Sequence, residues 1–502
     1  MSRRRDYVTF FANRRRRGEF IFTHDGRRRL RWILPALVVA AAGGLAFWWF
    51  TRPSLEAGAP GGPDVPAAGV STIPTILQPM STSNTGVGEV AAVCPPSVGG
   101  SDWGTFQASP ERTGCRDARL IDEPAILWTA KVGVQGWLNN PVVVGDTVYV
   151  GSAGQVQFEA DAADGIYALD LASGTRRWFL PASLDVNGVA ADGSLVVAVG
   201  DEGLVWGIDA ATGLALWTAN LGAAVFSNPL LVDGKAVVGD GSGTVSAFDL
   251  RSGQRQWRAT VAGAVRGGAA FDGERIYVAG EQREVVALGL QGNVIWRTTI
   301  DGRAGEGNQL RIFAAPTVAG EAVVLALVRG DVFGEPGLVA LDRVTGEILW
   351  RAVDAAGIKS DWANVRSSPA VVGDLLLYGE PYSNRLVALG AADGRTRWST
   401  EVGAYCYPHW PSPAVVSGRV ILPRDDGGLY AVDLATRAEV WAIYLGQQSR
   451  NGAFPDDFDD EFCLRQPRVG AALIASPAVA NNGVVLVGSL EGYLFAIGDA
   501  GW

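Results

Sequence analysis

The chain has 502 residues, 48% of them hydrophobic, with 65 glycines, only three lysines and a net charge of −10. Two histidines, His24 and His409, leave almost no material for a Ser-His-Asp triad or a multi-histidine metal site, which excludes most hydrolase and zinc chemistry. The first 31 residues carry eleven arginines and three acidic residues, a sum of +8, so the remainder stands near −18, a balance that argues against a nucleic-acid partner.

In chain order, residues 1–31 read as a basic cytoplasmic tail. Residues 32–50 form an uncharged run of nineteen residues, close to the roughly 20 that a helix needs to cross a bilayer. Trp32 at one end and Phe47, Trp48, Trp49 and Phe50 at the other suit the two interfaces, and the arginine excess orients the N-terminus inward. The expectation is a single-pass transmembrane helix with everything after it outside the cytoplasm, periplasmic or extracellular. Residues 51–92, rich in Pro, Gly, Ser and Thr, read as a flexible linker.

Residues 93–124 form a lead-in that contains Cys94 and Cys115, while Cys406 and Cys463 lie far downstream. Four cysteines beyond the apolar run suit an oxidising compartment and two disulfides. Cys94 with Cys115 makes a local staple, and Cys406 with Cys463 is sterically plausible, although sequence alone leaves three connectivities open.

From residue 125 onward one unit repeats. Its clearest copy runs from Ser246 to Trp257: an alternating strand, a turn Asp249-Leu250-Arg251-Ser252-Gly253, then a strand carrying Trp. Copies end at Trp178, Trp217, Trp257, Trp296, Trp350, Trp398 and Trp441, with a lone closing strand at Trp128 and a last copy, Tyr493 to Ile497, that lacks one. A strand-bearing period near 40 residues predicts propeller blades. The two incomplete copies predict an all-β, eight-bladed ring in which the strand around Trp128 completes the C-terminal blade. The tryptophans are then blade-packing residues, not a ligand cage. Two turns that open with Gly289 and Gly390, and one with Arg437 in place of Gly, are expected to be looser.

Successive tryptophans are 39, 40 and 39 residues apart from Trp178 to Trp296, then 54 and 48 apart to Trp398. The added length, like the stretch 447–472, falls between a Trp strand and the next blade, which marks that face as the working one. Candidates near the channel mouth are Trp137, Asn139, Arg266, Arg311, Trp362, Arg366, His409 and Trp410. Arginines beside aromatic rings suit an anionic planar ligand or an acidic partner segment; the plainer alternative is that they pair with carboxylates of the propeller. The acidic string Asp456-Asp457-Phe458-Asp459-Asp460-Glu461 lacks the spacing of a calcium loop and reads as solvated, so no metal ligand is assigned.

The repeat Ala-Leu-Asp-x-x-Thr-Gly-x-x-x-Trp, as in Val339 to Trp350, and Ser-Pro-Ala-Val at 368–371, 412–415 and 476–479 resemble the pyrroloquinoline-quinone-like propeller repeat. The resemblance covers residues 125–502 and implies the propeller fold. Two classes share it: quinoprotein dehydrogenases, with quinone and calcium over the channel, and non-enzymatic scaffolds similar to BamB, the lipoprotein accessory of outer-membrane protein assembly. The chain has neither the adjacent cysteine pair of the dehydrogenases nor a Cys-x-x-Cys-His haem motif. It also lacks a lipid-attachment cysteine after the apolar run. The apolar run adds an anchor to what the resemblance implies, and the two together give the expectation of a membrane-anchored scaffold that binds a protein partner at the channel mouth, without catalysis or cofactor. The alternatives are a dehydrogenase holding the quinone with Arg266 or Arg366, and a small-molecule sensor.

Overall fold

The computed structural model describes residues 93–97, 102–136, 139–301, 310–329, 337–352, 367–380, 384–404, 411–446, 452–455 and 472–500. The expected tail, helix and linker at 1–92 lie outside them, and among the described residues no helix is long and apolar enough to cross a membrane.

All regular structure described is β, in eight antiparallel sheets that are the blades of a propeller. The innermost strands are Val142–Val144, Val186–Ala191, Leu230–Val232, Val265–Phe271, Thr317–Ala319, Ala370–Val372, Ala414–Val416 and Ala478–Val479. Seven outer strands carry the repeated tryptophans in turn. The eighth is Pro124–Lys131, which pairs antiparallel with Tyr493–Asp499, Trp128 opposite Ala496. The ring therefore closes where the sequence requires. Even the missing turn is rebuilt: the Asp499 carboxylate accepts the amides of Asp122 at 2.7 Å and Glu123 at 3.0 Å, as Asp249 accepts that of Ser252 at 2.8 Å within its own hairpin.

Each outer strand is bulged just before its tryptophan. Trp257 pairs with Ala247 but Arg255 pairs with Phe248, so Gln256 is the extra residue, and the same shift recurs in the other blades. A bulge re-aims side chains, here turning Trp toward the next blade and its neighbour outward. Leu216, Ile295, Leu349 and Val440 occupy that outward position, which explains their exposure. The indole then docks on the next blade: Trp128, Trp178, Trp217, Trp257, Trp296 and Trp350 each donate Nε1–H to a turn carbonyl at 2.8–3.1 Å. The floor of each dock is the turn glycine. A Cβ on Gly174 would lie 2.5 Å from the Trp128 ring, and Gly213, Gly253, Gly292, Gly346 and Gly394 stand the same way under the next five tryptophans.

Arg437 replaces that glycine in the seventh blade and adopts φ +61°. The looser turn expected there is not found: Arg437 donates its amide to Asp433 at 2.7 Å and Thr436 caps the Asp433 carboxylate, so local hydrogen bonds hold the left-handed residue. Trp398 is half-buried, as Trp178, Trp217 and Trp257 are, with the Arg437 guanidinium 5.9 Å from its ring. Gly289 and Gly390 likewise keep their turn bonds at 2.9 and 2.8 Å.

Packing between blades is apolar, as where Tyr277, Val285 and Trp296 meet Val323, Leu325 and Leu341. Around the channel a second seam is polar. Ser368 bonds Ser412, Ser412 bonds Ser476, and Ser476 bonds Asn140, each amide meeting a side-chain oxygen of the next blade at 2.7–3.0 Å. The serine of Ser-Pro-Ala-Val is thus an inter-blade clasp, and its buried hydroxyl is satisfied by that role.

The lead-in supplies the largest departure from a plain ring. Residues 103–116 lie across the channel at the end where the first hairpins turn, and they touch all eight blades. Main-chain carbonyls of Trp103, Gly104, Pro110, Glu111, Thr113 and Gly114 accept amides of Val143, Ala191, Phe271, Val318, Val371 and Val415 at 2.7–2.9 Å. Arg112 reaches the third blade through Pro229 O at 3.1 Å, and Arg116 reaches the eighth through Val479 O at 2.5 Å. Cys115–Arg116 adds a parallel fifth strand to the seventh blade, and the Cys94–Cys115 disulfide fixes the segment. This floor closes the channel at one end.

Arg112 is the hub of the floor. It is fully buried, with φ +62°, and its guanidinium donates to Ala269 O at 2.8 Å, Phe106 O at 2.7 Å and Thr105 Oγ1 at 2.5 Å as well as to Pro229 O. Burial pulls its pKa down to about 9, opposed by Glu111, so it is charged at neutral pH and its charge is met by carbonyl dipoles.

Candidate functional site

With the floor at the hairpin-turn end, the connections between blades and the second hairpins gather at the opposite end, the mouth. Residues 302–309, 353–366, 405–410 and 456–471 lie outside the described residues, and with them Trp362, Arg366, His409, Trp410, Cys406, Cys463 and the acidic string. Trp137 lies outside them too.

Of the candidates described, Arg266 and Arg311 come together around one carboxylate. Arg266 places Nε and Nη2 each 3.0 Å from Glu281 Oε2, and Arg311 Nε lies 3.8 Å from Glu281 Oε1. The Arg266 guanidinium also sits 4.6 Å from the Phe226 ring and 5.9 Å from Phe313. Paired and stacked in this way it is held rigid. Asn139 is buried and donates to Val186 O, a clasp between the first two blades. The eight tryptophans sit in the blade seams, away from the mouth.

The mouth carries a second set of groups that the sequence reading passed over. An acidic residue follows glycine at the start of the second hairpin in Gly200-Asp201, Gly239-Asp240, Gly280-Glu281 and Gly379-Glu380. That recurrence was the available signal. Three of the four are neutralised differently. Asp240 accepts the amides of Ser242 at 2.7 Å and Thr244 at 3.1 Å, Glu281 takes Arg266, and Asp201 takes Asn187 Nδ2 at 2.6 Å. In the seventh blade, Arg424 and Asp426 form a fully buried pair 3.1 Å apart. Burial pushes the Asp426 carboxyl up, opposed by Arg424 and the Gly428 amide.

Beside Asp201 lie Asp161 and Asp164 of the first blade's hairpin and Asp185 of the connection between the first two blades. Burial raises Asp185 to about 7 against a bond from the Phe158 amide, and Asp201 to about 6 against the Asn187 bond. Among the described residues no group of three or more His, Cys, Asp or Glu side chains could hold a metal ion. The mouth offers charged, anchored side chains and a dead-end channel, a surface suited to recognition.

The chain is similar to several known proteins. It is 26% identical to outer membrane protein assembly factor BamB of Burkholderia pseudomallei over 408 residues, covering 74% of this chain and 90% of that one. The same factor of Yersinia pestis is 25% identical over 55% of this chain and 71% of its own length. Among solved structures, BamB from Moraxella catarrhalis aligns with a TM-score of 0.55 at 17% identity, covering 75% of this chain and 99% of that one. The quinohemoprotein alcohol dehydrogenase from Comamonas testosteroni aligns at 0.58 and 15%, covering 80% and 81%. Both structural likenesses show the propeller alone. The family model described as outer membrane protein assembly factor BamB matches residues 166–242, 241–406 and 382–456, more than half of the sequence, and the chain belongs to that family.

Proposed function

We propose that the protein is a membrane-tethered, extracytoplasmic propeller that acts as a non-catalytic binding scaffold in the assembly of outer-membrane proteins. The mouth takes the protein partner, and residues 32–50 anchor the chain with 1–31 in the cytoplasm. The observation that carries this reading is the family match, which extends over blades whose channel is closed at its far end by the chain's own lead-in. A ring closed at one end leaves its other face to meet a partner.

The fold also admits the quinone and calcium of the dehydrogenases, so the described residues bear on that group. They do not fit it. Arg266 and Arg311 are committed to Glu281, and the described mouth gathers no metal-ligating set. No catalytic step is assigned.

The test uses the full-length protein in its own membranes. Photo-crosslinking residues at Arg311 and Gln157 should join it to a component of the outer-membrane β-barrel assembly machinery, and deleting its gene should lower outer-membrane β-barrel proteins. Dye-linked alcohol oxidation after loading with pyrroloquinoline quinone and calcium would replace this reading with the dehydrogenase.

A further inference from the structure

Two carboxylates at the mouth are buried without compensation. Asp164 ends the second hairpin of the first blade and Asp185 lies in the connection to the second; they are 0% and 1% exposed. Each has one oxygen satisfied: Asp164 Oδ2 accepts the Asp161 amide at 2.8 Å, and Asp185 Oδ2 accepts the Phe158 amide at 2.9 Å. The other oxygen of each, Oδ1, is buried with no donor. Among the described residues neither carboxylate has an ion-pair partner.

The groups around them are mostly of the same sign. Asp161, on the same hairpin as Asp164, is occupied by the amides of Gln155 and Ala163 at 2.5 and 2.7 Å. Asp201 comes from the second blade's hairpin and donates its amide to Asp185 O at 3.0 Å. Arg266, from the fourth blade, acts on Asp201 but is bonded to Glu281. Tyr167, beneath the hairpin, gives its hydroxyl to Ala163 O. These carboxylates do not converge on a point where a metal ion could sit. Two buried anions with orphan acceptors and like-charged neighbours are relieved by a proton, which turns an acceptor into a donor and removes the repulsion.

We propose that Asp164 and Asp185 are a proton-controlled latch that ties the first blade's mouth hairpin, residues 154–163, to the connection into the second blade. With the proton on Asp185 the hairpin is closed, through the Phe158 and Asp161 amides. When that proton leaves, the buried charge adds to those of Asp161, Asp164 and Asp201, and the hairpin opens. The titration lies near neutrality, since burial raises Asp185 to about 7 and raises Asp164 as well.

Hydrogen exchange of the full-length protein between pH 5 and 9, corrected for the intrinsic rate, reads the latch directly. Peptides covering 154–163 should lose protection as pH rises from 5 toward 7, by up to about tenfold per pH unit for each proton released, and level off above it. The equivalent hairpin of the third blade, 239–244, where local amides cap Asp240, should stay flat. Asp185→Asn should flatten the 154–163 profile, and Asp201→Asn, which removes a neighbouring negative charge and so lowers the Asp185 pKa, should make the fall end at lower pH. A flat wild-type profile, a parallel fall in both hairpins, or a fall unchanged in Asp185→Asn and Asp201→Asn would overturn the proposal.

Discussion

At the floor of the channel, main-chain carbonyls of residues 103–114 meet main-chain amides of the inner strands; at the mouth, charged side chains meet one another. The floor carries few charges, Arg112 within a shell of carbonyl dipoles, Glu111 beside it and Arg116 at its end, and its contacts bind one blade to the rest. The mouth holds Asp161, Asp164, Asp185, Asp201, Glu281 and Arg266 in settings that differ from blade to blade. A backbone-bonded end tolerates little change, whereas an end built from side chains can be varied without unmaking the ring. The difference assigns stability to the floor and recognition to the mouth.

The strongest test sets one arginine against another. Arg112→Ala leaves the carbonyls of Ala269, Pro229 and Phe106 buried without their donor and should cost about 3 to 5 kcal/mol, read from the urea midpoint. Arg266→Ala leaves Glu281 within reach of water and should cost about 1 kcal/mol. Equal losses would break the distinction between the two ends.

Removing the staple sharpens it. The disulfide spans 21 residues, so Cys94→Ser with Cys115→Ser should cost about 3 kcal/mol. Exchange should quicken at the floor amides Val143, Val371 and Val415 while the 239–244 hairpin keeps its protection. A loss confined to the mouth would contradict the role given to the lead-in.

The smallest effect is at the mouth and has the opposite sign. The Asp185 carboxyl stands at about 7 in the folded protein against 3.8 unfolded, so the folded state holds the extra proton. Its contribution is fully present below 3.8 and is lost as pH rises through 7. Asp185→Asn stays neutral throughout and should gain on the wild type between pH 5 and pH 8, on the order of 1 kcal/mol. The same linkage fixes the sign for Asp201→Asn: losing a negative neighbour lowers the Asp185 pKa, so the fall in protection ends at lower pH. A fall that stays in place or moves to higher pH counts against the latch.

The repeat period, the paired turn residues and the two incomplete copies were enough to predict eight blades and the pairing of Pro124–Lys131 with Tyr493–Asp499, because strand alternation and turn chemistry are local properties. They also assigned the tryptophans to blade packing. What they could not show was that the turn glycines are the docks of those tryptophans, since each dock belongs to the next blade. The looser turn expected at Arg437 is not found because local bonds hold its left-handed backbone, and the ring its side chain meets, Trp398, belongs to the preceding blade.

The sequence by itself determined the ring and its closure, both from patterns that repeat along the chain. Only the tertiary structure decided that 103–116 fills the far end of the channel, that Arg266 and Arg311 share Glu281, and that Asp164 and Asp185 are buried together. Those contacts join residues tens to hundreds of positions apart, and no periodicity records them, because they depend on where eight blades bring their inner edges.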